Sequence, residues 1–138
     1  MKASLFAGMA FGNSDVGAVH CLAEAVGSLY DTPHGVANAV FLPYVMEFNL
    51  DVSLEKYANI GRIAGVQAEK DKDAALKLIQ RIKELSQAFS IPSMRELGIA
   101  ETDFAVIAQK SFENSSNPSN PKPASAEDYV KILRRASH

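Results

Sequence analysis

The first fifty residues of this 138-residue chain are almost uncharged, which limits where they can lie in a folded protein. Of the 30 charged side chains only five fall in this segment, and they are Lys2, Asp15, Glu24, Asp31 and Glu47. Five of the eight glycines also lie there. Because a segment rich in Gly and Ala and poor in charge is poorly hydrated, we expect it to form the protein's interior, a site, or a surface that meets another domain.

The bulk composition is that of one soluble globular domain. Hydrophobic residues make up 47% of the chain and charged residues 22%. The net charge of −2 gives no electrostatic reason to expect a nucleic-acid or membrane partner. No apolar run approaches the ~20 residues of a membrane-spanning helix. The single cysteine, Cys21, excludes an internal disulfide framework. We expect a cytoplasmic protein.

Hydrophobic periodicity predicts an all-α fold, a single helical domain of about six to seven helices. The apolar positions of residues 70–89 repeat at the 3.6-residue helical period, and no segment alternates as a strand does. The six apolar residues expected to face inward from this helix are Ala75, Leu78, Ile79, Ile82, Leu85 and Phe89. The other predicted helices cover about 3–11, 15–30, 34–48 and 53–64, one segment after Thr102 and one after Ser125.

Local signals predict where several helices begin. Ser14 or Asp15 is expected to cap the second helix. Thr32 is expected to cap the third, with Pro33 at its first helical position. Pro43 is expected to kink or split that third helix, because proline removes a backbone hydrogen bond and clashes with the preceding turn.

The C-terminal region has its own local signals. Three prolines among serines and asparagines predict that 114–124 is a flexible loop without a binding role. Ser125 and Asp128 have the spacing of a capping box, which predicts the start of the last helix.

Two histidines in the charge-poor segment are candidate metal ligands. His20 and Glu24 are four residues apart on one predicted helix and therefore share a face. His34 follows a sharp break, so a helix–turn–helix would bring it towards His20. Imidazole suits iron, zinc, copper or nickel, and Glu24 could ligate directly or accept a histidine N–H. The alternative is ordinary packing, with each histidine satisfied by backbone groups and Glu24 solvated; His138 is expected to be solvated.

The residue identities of 7–49 carry more information than the spacing of the two histidines does. The strings are AGMAFGN from Ala7, GAVHCLA from Gly17, GSLYDTPHGVANA from Gly27 and LPYVMEFN from Leu42. Together they closely resemble the iron-containing (group III) alcohol dehydrogenases. The resemblance continues more weakly to the end of the chain and includes the Asn-Pro loop before the final helix.

The resemblance implies that residues 1–138 form the C-terminal helical, metal-binding domain of such an enzyme, with a dehydroquinate synthase-like fold. The N-terminal domain that binds NAD or NADP would be absent. Family members hold iron or zinc with one Asp and three His; two of those histidines correspond to His20 and His34. The Asp and the remaining His would lie upstream of Met1, so the metal site here would be incomplete.

Glu24 departs from the family pattern, which commonly has a histidine there that is implicated in proton relay. A carboxylate at this position could relay protons, so Glu24 is the candidate catalytic residue. Phe11 and Asn13 match the stretch that lines the family's substrate pocket.

These features leave three functional expectations. The first is the C-terminal part of an NAD(P)-dependent dehydrogenase of small alcohols or aldehydes, inactive alone and needing a nucleotide-binding domain or second polypeptide. The second is a non-catalytic helical module that binds a partner or another copy of itself through the old inter-domain face. The third is a stand-alone metal hydrolase using His20, Glu24 and His34.

Overall fold

The computed structural model describes all 138 residues and contains helices but no strands, which confirms the all-α prediction. The seven α-helices are α1 (Lys2–Ser14), α2 (Ala18–Tyr30), α3 (His34–Phe48), α4 (Leu50–Ile63), α5 (Asp71–Ala88), α6 (Phe104–Glu113) and α7 (Ala126–Ala136). Two short 3₁₀ helices cover Glu101–Asp103 and Asn117–Ser119. None of the helices is long and apolar enough to cross a membrane.

The main core is built around α2, which packs against α3 on one side and α6 on the other, while α7 closes the bundle against α3 and α6. The largest fully buried side chains include Leu22, Phe41, Ile107 and Tyr129. Burying a side chain of this size stabilises the fold by about 1.5–3 kcal/mol. Cys21 is fully buried in this core, as expected for a packing residue.

Helices α4 and α5 pack on each other and join α3 through a smaller cluster of Met46, Leu78 and Ile79. Four of the six residues predicted to face inward from this segment are buried or half-buried, whereas Leu85 and Phe89 are 38% and 73% exposed. The period of the sequence identified the apolar face, but no other element covers its C-terminal end.

Helix α1 buries none of its residues and packs substantially against no other helix. Four of its large apolar side chains are more than half exposed, and these are Leu5, Phe6, Met9 and Phe11. The charge-poor segment was expected to form the interior, a site, or a surface that meets another domain. Its first helix, α1, lies on the surface and not in the interior.

The predicted bounds of α3 are correct, but its predicted cap and the predicted starts of α2 and α4 are wrong. Helix α2 begins after Gly17 without a side-chain cap, since the Asp15 carboxylate bonds elsewhere. Helix α3 begins at His34, so Pro33 is the capping position and Thr32 is buried outside the helix. Helix α4 begins at Leu50, and Ser53 interrupts it with non-helical angles (φ −120°, ψ 15°).

Pro43 does not split α3, which runs unbroken from His34 to Phe48. Six of the fifteen residues of α3, Pro43 among them, are buried, because α2, α5 and α7 pack around the helix. Packing on several sides stabilises the helix enough to outweigh the lost backbone hydrogen bond.

The segment 114–124 is a loop, as predicted, but hydrogen bonds anchor it. Asn117 is buried; its Nδ2 donates to the carbonyls of Phe112 and Ala124, and its Oδ1 accepts from the Tyr129 hydroxyl at 2.8 Å. The predicted capping box is confirmed directly after the loop, with Ser125 and Asp128 exchanging side-chain and backbone hydrogen bonds.

Candidate metal centre

The rings of His20 and His34 lie side by side, with centroids 5.2 Å apart and planes inclined at 52°. His20 is in the first turn of α2, and His34 is the first residue of α3. The packing of α2 against α3 therefore brings together two side chains that are fourteen positions apart in sequence.

A three-residue turn between α2 and α3 makes this approach possible. Asp31 takes the left-handed conformation (φ 51°), which ends α2, and its N–H bonds the Gly27 carbonyl. Thr32 is buried, and Pro33 fixes the chain direction at the start of α3. The sequence break at 31–33 was therefore a correct signal for the convergence of the two histidines.

The surroundings of His20 favour its neutral form. Partial burial lowers the pKa of His20, and the nearby positive charge of a protonated His34 lowers it further. The carboxylates of Glu24 and Asp15 act in the opposite direction and are weaker contributors than burial. A neutral imidazole is the form that ligates a metal ion, so the electrostatics agree with a ligand role.

Glu24 is exposed one turn after His20, and no hydrogen bond joins its carboxylate to the His20 ring. Its Oε2 instead accepts a hydrogen bond of 2.7 Å from Nδ2 of Asn114. The structure thus places Glu24 near His20 but ties it to the loop between α6 and α7. Sequence reasoning missed Asn114, because a partner 90 positions away leaves no local signal.

Asp15 is held by the same loop. Its Oδ1 accepts from the backbone N–H of Val16 and from the Ser116 hydroxyl, and its Oδ2 accepts from the Ser119 hydroxyl at 3.0 Å. These bonds, led by that from Val16, lower the pKa of the exposed Asp15 carboxyl, which therefore stays ionised.

An open cleft of about 1040 Å³ borders His20 between the start of α2 and helices α3, α4 and α5. Its lining is mainly apolar and includes Leu42, Met46, Tyr57 and Ile60. A cleft of this kind can take an apolar group next to a polar centre.

Asn38, on the wall of this cleft, is a second residue that sequence reasoning did not select for the site. Its Nδ2 donates to the His34 carbonyl at 2.9 Å, which connects it to the candidate ligand. Its Oδ1 is buried and has no hydrogen-bond partner, so a polar acceptor beside the histidines is left unsatisfied.

The remaining residues singled out from the sequence lie elsewhere. Phe11 and Asn13 are exposed on α1; neither lines the cleft, and Asn13 donates to the Met9 carbonyl. Burial raises the pKa of the Cys21 thiol, as expected for a packing residue and not for a nucleophile. His138 is exposed at the chain end.

The two imidazoles fit a transition-metal ion by donor type and by their approach, but two side chains are fewer than the three or four protein ligands of most zinc sites. The chain assembles no group of three or more His, Cys, Asp or Glu side chains that could hold a metal. This geometry gives no support to a stand-alone hydrolase using His20, Glu24 and His34.

Comparison with known proteins places the chain in one family. The family model described as Fe-containing alcohol dehydrogenase family, C-terminal, matches residues 1–137. The chain is 42% identical over 137 residues to the 1,3-propanediol dehydrogenase of Klebsiella pneumoniae, covering 97% of this chain and 35% of that protein. It is 37% identical to the lactaldehyde reductase of Escherichia coli K12, covering 94% of this chain and 35% of that protein.

Solved structures agree with the sequence comparisons. A crystal structure of a 1,3-propanediol oxidoreductase superposes with a TM-score of 0.94 at 43% identity, covering 97% of this chain and 36% of that one. An alcohol dehydrogenase from Oenococcus oeni gives a TM-score of 0.90 at 39% identity, covering 94% and 35%. The chain therefore spans about a third of the length of the relatives it matches.

Proposed function

Because this chain belongs to the iron-containing alcohol dehydrogenase family and corresponds to its C-terminal part, we propose that it supplies half of the metal centre of an NAD(P)-dependent dehydrogenase. The substrates would be small alcohols and aldehydes. Relatives named for 1,3-propanediol, lactaldehyde, butanol and methanol support this substrate class.

The observation that carries the proposal is the pairing of His20 with His34 at 5.2 Å between ring centroids. His20 is half-buried and His34 is exposed, so packing does not require their rings to lie side by side. The two rings would also repel each other if both were protonated. A shared cation explains the arrangement, and the lowered pKa of His20 agrees with it.

In the proposed site His20 and His34 hold the metal through neutral ring nitrogens, and Asn38 orients the start of α3 through the His34 carbonyl. When bound, iron or zinc supplies Lewis-acid polarisation of the substrate oxygen and the nicotinamide supplies hydride chemistry. Glu24, an exposed carboxylate near His20, accepts or returns the hydroxyl proton. The apolar cleft beside His20 excludes water from the carbon skeleton of the substrate.

The isolated chain is proposed to be inactive. It covers only about 35% of its relatives and provides two candidate ligands, so the nucleotide site and the other ligands would come from another domain or polypeptide. The partner proposed for this chain is therefore a nucleotide-binding domain or a second polypeptide.

The proposal is tested in the chain alone and in a chimera. In the chimera this chain replaces the matching last 35% of the Klebsiella pneumoniae 1,3-propanediol dehydrogenase. We expect no NAD(P)-dependent oxidation of 1,3-propanediol by the chain alone and turnover by the chimera. His20→Ala or His34→Ala should abolish turnover and weaken Co²⁺ binding to the chain alone by more than about 10-fold, since even outer-shell partners contribute that much.

The matched control is His138→Ala, which removes an exposed histidine far from the pair in sequence. It should change neither the turnover of the chimera nor the Co²⁺ affinity of the chain. Turnover by the chain alone without a second polypeptide would contradict the proposal. Unchanged Co²⁺ affinity in His20→Ala and His34→Ala would also contradict it.

The exposed apolar side chains of α1 favour a second candidate, a non-catalytic module that self-associates through this helix. Leu5, Phe6 and Met9 are 63%, 64% and 59% exposed, which is unusual for three large apolar residues on one short helix. Sedimentation equilibrium should then detect a dimer that Phe6→Lys converts to monomer. A strictly monomeric parent chain at high concentration would exclude this candidate.

A further inference from the structure

The loop between α6 and α7 reaches across the fold to both carboxylates that act on His20. Asn114 donates to Glu24, and the hydroxyls of Ser116 and Ser119 donate to Asp15. The six-residue stretch 114–119 therefore determines where two negative charges lie beside the histidine pair.

The orientation of the Asn114 amide is fixed by its own contacts. Its Oδ1 accepts the backbone N–H of Ser116 at 2.9 Å, so its Nδ2 must be the atom that faces Glu24. A hydrogen bond from an amide to a carboxylate is charge-assisted and stronger than a neutral one. Asn114 therefore restrains one carboxylate oxygen, Oε2, while Oε1 of Glu24 has no hydrogen-bond partner in the chain.

The loop is itself held by buried contacts, so its position relative to α2 is well defined. Asn120 is buried and its Oδ1 accepts from the Ala18 N–H at the start of α2 and from Nδ2 of Asn49. At the other end, the Ser111 hydroxyl donates to the Cys21 carbonyl within α2. Anchors on both sides of Asn114 keep it opposite Glu24.

We propose that Asn114 is a positioning residue for the metal centre, because it holds the Glu24 carboxylate beside His20 and leaves Oε1 available to a group bound at the histidine pair. This inference rests on the proposed function, in which His20 and His34 ligate the metal. It predicts that Asn114 acts on the metal only through Glu24.

A double-mutant cycle with Co²⁺ as the probe tests this. Affinity is measured by calorimetric titration for the parent chain, Glu24→Gln, Asn114→Ala and the double variant. We expect Glu24→Gln and Asn114→Ala each to weaken binding by about 10-fold, the lower end of the effect of residues that orient a metal site. In the Glu24→Gln background, Asn114→Ala should change the affinity by less than about twofold.

Asn114→Asp is the second variant, because it is isosteric and keeps the acceptor for the Ser116 N–H. It removes the donor and sets two carboxylates against each other, so it should weaken binding at least as much as Asn114→Ala. Glu24→Gln should cancel that added loss, since a glutamine amide can donate to Asp at position 114. Ser115→Ala, which alters an exposed neighbour in the same loop, is the matched control and should have no effect.

The outcomes separate the two proposals. If Asn114→Ala weakens Co²⁺ binding equally in the parent chain and in the Glu24→Gln variant, the role of Asn114 is purely structural and the inference is overturned. An unchanged affinity in Glu24→Gln, with His20→Ala still weakening binding, would also overturn it and leave the proposed function standing. If His20→Ala has no effect, the proposed function fails and this inference fails with it.

Discussion

Asn49 and Asn120 exchange two side-chain hydrogen bonds in the interior. Nδ2 of Asn49 donates to Oδ1 of Asn120 at 3.0 Å, and Nδ2 of Asn120 donates to Oδ1 of Asn49 at 2.8 Å. Both residues are buried, and Asn120 also accepts the Ala18 N–H and donates to the Lys122 carbonyl. The pair joins the junction of α3 and α4 to the loop that holds the carboxylates near His20.

Replacing one member of this pair should cost more than one ordinary hydrogen bond. Asn49→Ala removes both bonds of the pair and leaves one buried N–H of the Asn120 amide without a partner, and we expect a loss of about 2–3 kcal/mol in the free energy of unfolding. Urea denaturation checks the value. Asn120→Ala should cost at least as much, because it also removes the acceptor of the Ala18 N–H, and the double variant should lose less than the sum of the two. Additive losses would contradict the pairing.

Gly61 is expected to be required where α4 meets α5. A Cβ at this position would lie 2.9 Å from the Ala74 carbonyl oxygen and 3.3 Å from Cβ of Leu78. Gly61→Ala should therefore destabilise the fold by about 1–3 kcal/mol despite the better helix propensity of alanine. Gly12→Ala is the matched control, because Gly12 is helical and a Cβ there would meet nothing within 4 Å. Thermal unfolding should separate the two variants, and equal midpoints would contradict the close approach.

The capping box of α7 should give a pH-dependent contribution to stability. Hydrogen bonds, led by that from the Ser125 side chain, lower the pKa of Asp128 below its ordinary value of 3.8. Because the folded pKa is the lower one, the stabilisation is complete well above 3.8 and is lost as the pH falls through the folded pKa. Ser125→Ala should cost about 1 kcal/mol at pH 7. The same difference, measured by urea unfolding, should shrink below pH 4; a difference that is constant with pH would contradict the coupling.

Tyr129 should tolerate the loss of its hydroxyl poorly. It is fully buried, burial raises the pKa of its phenol, and the hydroxyl donates to Oδ1 of Asn117. Tyr129→Phe leaves that buried acceptor without a donor, so we expect a loss of about 1–3 kcal/mol in the free energy of unfolding. Tyr44→Phe, which alters a half-buried tyrosine, should cost less. Urea denaturation compares the two variants, and a difference smaller than the error of extrapolation would contradict this prediction.

Local sequence signals predicted much of the helical framework. The 3.6-residue period placed α5 within one residue at each end, and the Ser125–Asp128 spacing placed the start of α7. The break at 31–33 predicted the approach of His20 to His34, because a short turn between two helices leaves few directions for the second. These properties depend on residues a few positions apart, which determine backbone angles and caps directly.

Long-range packing determined the rest. The sequence marked Leu85 and Phe89 as part of an apolar face and α1 as poorly hydrated, but whether another element covers such a face depends on the tertiary arrangement. Asn114 meets Glu24 only because α6 packs on α2, and the 90 intervening residues leave no local trace of that contact. The sequence alone thus determined which helices form and where two histidines converge, whereas the packing of distant helices decided how the carboxylates around them are held.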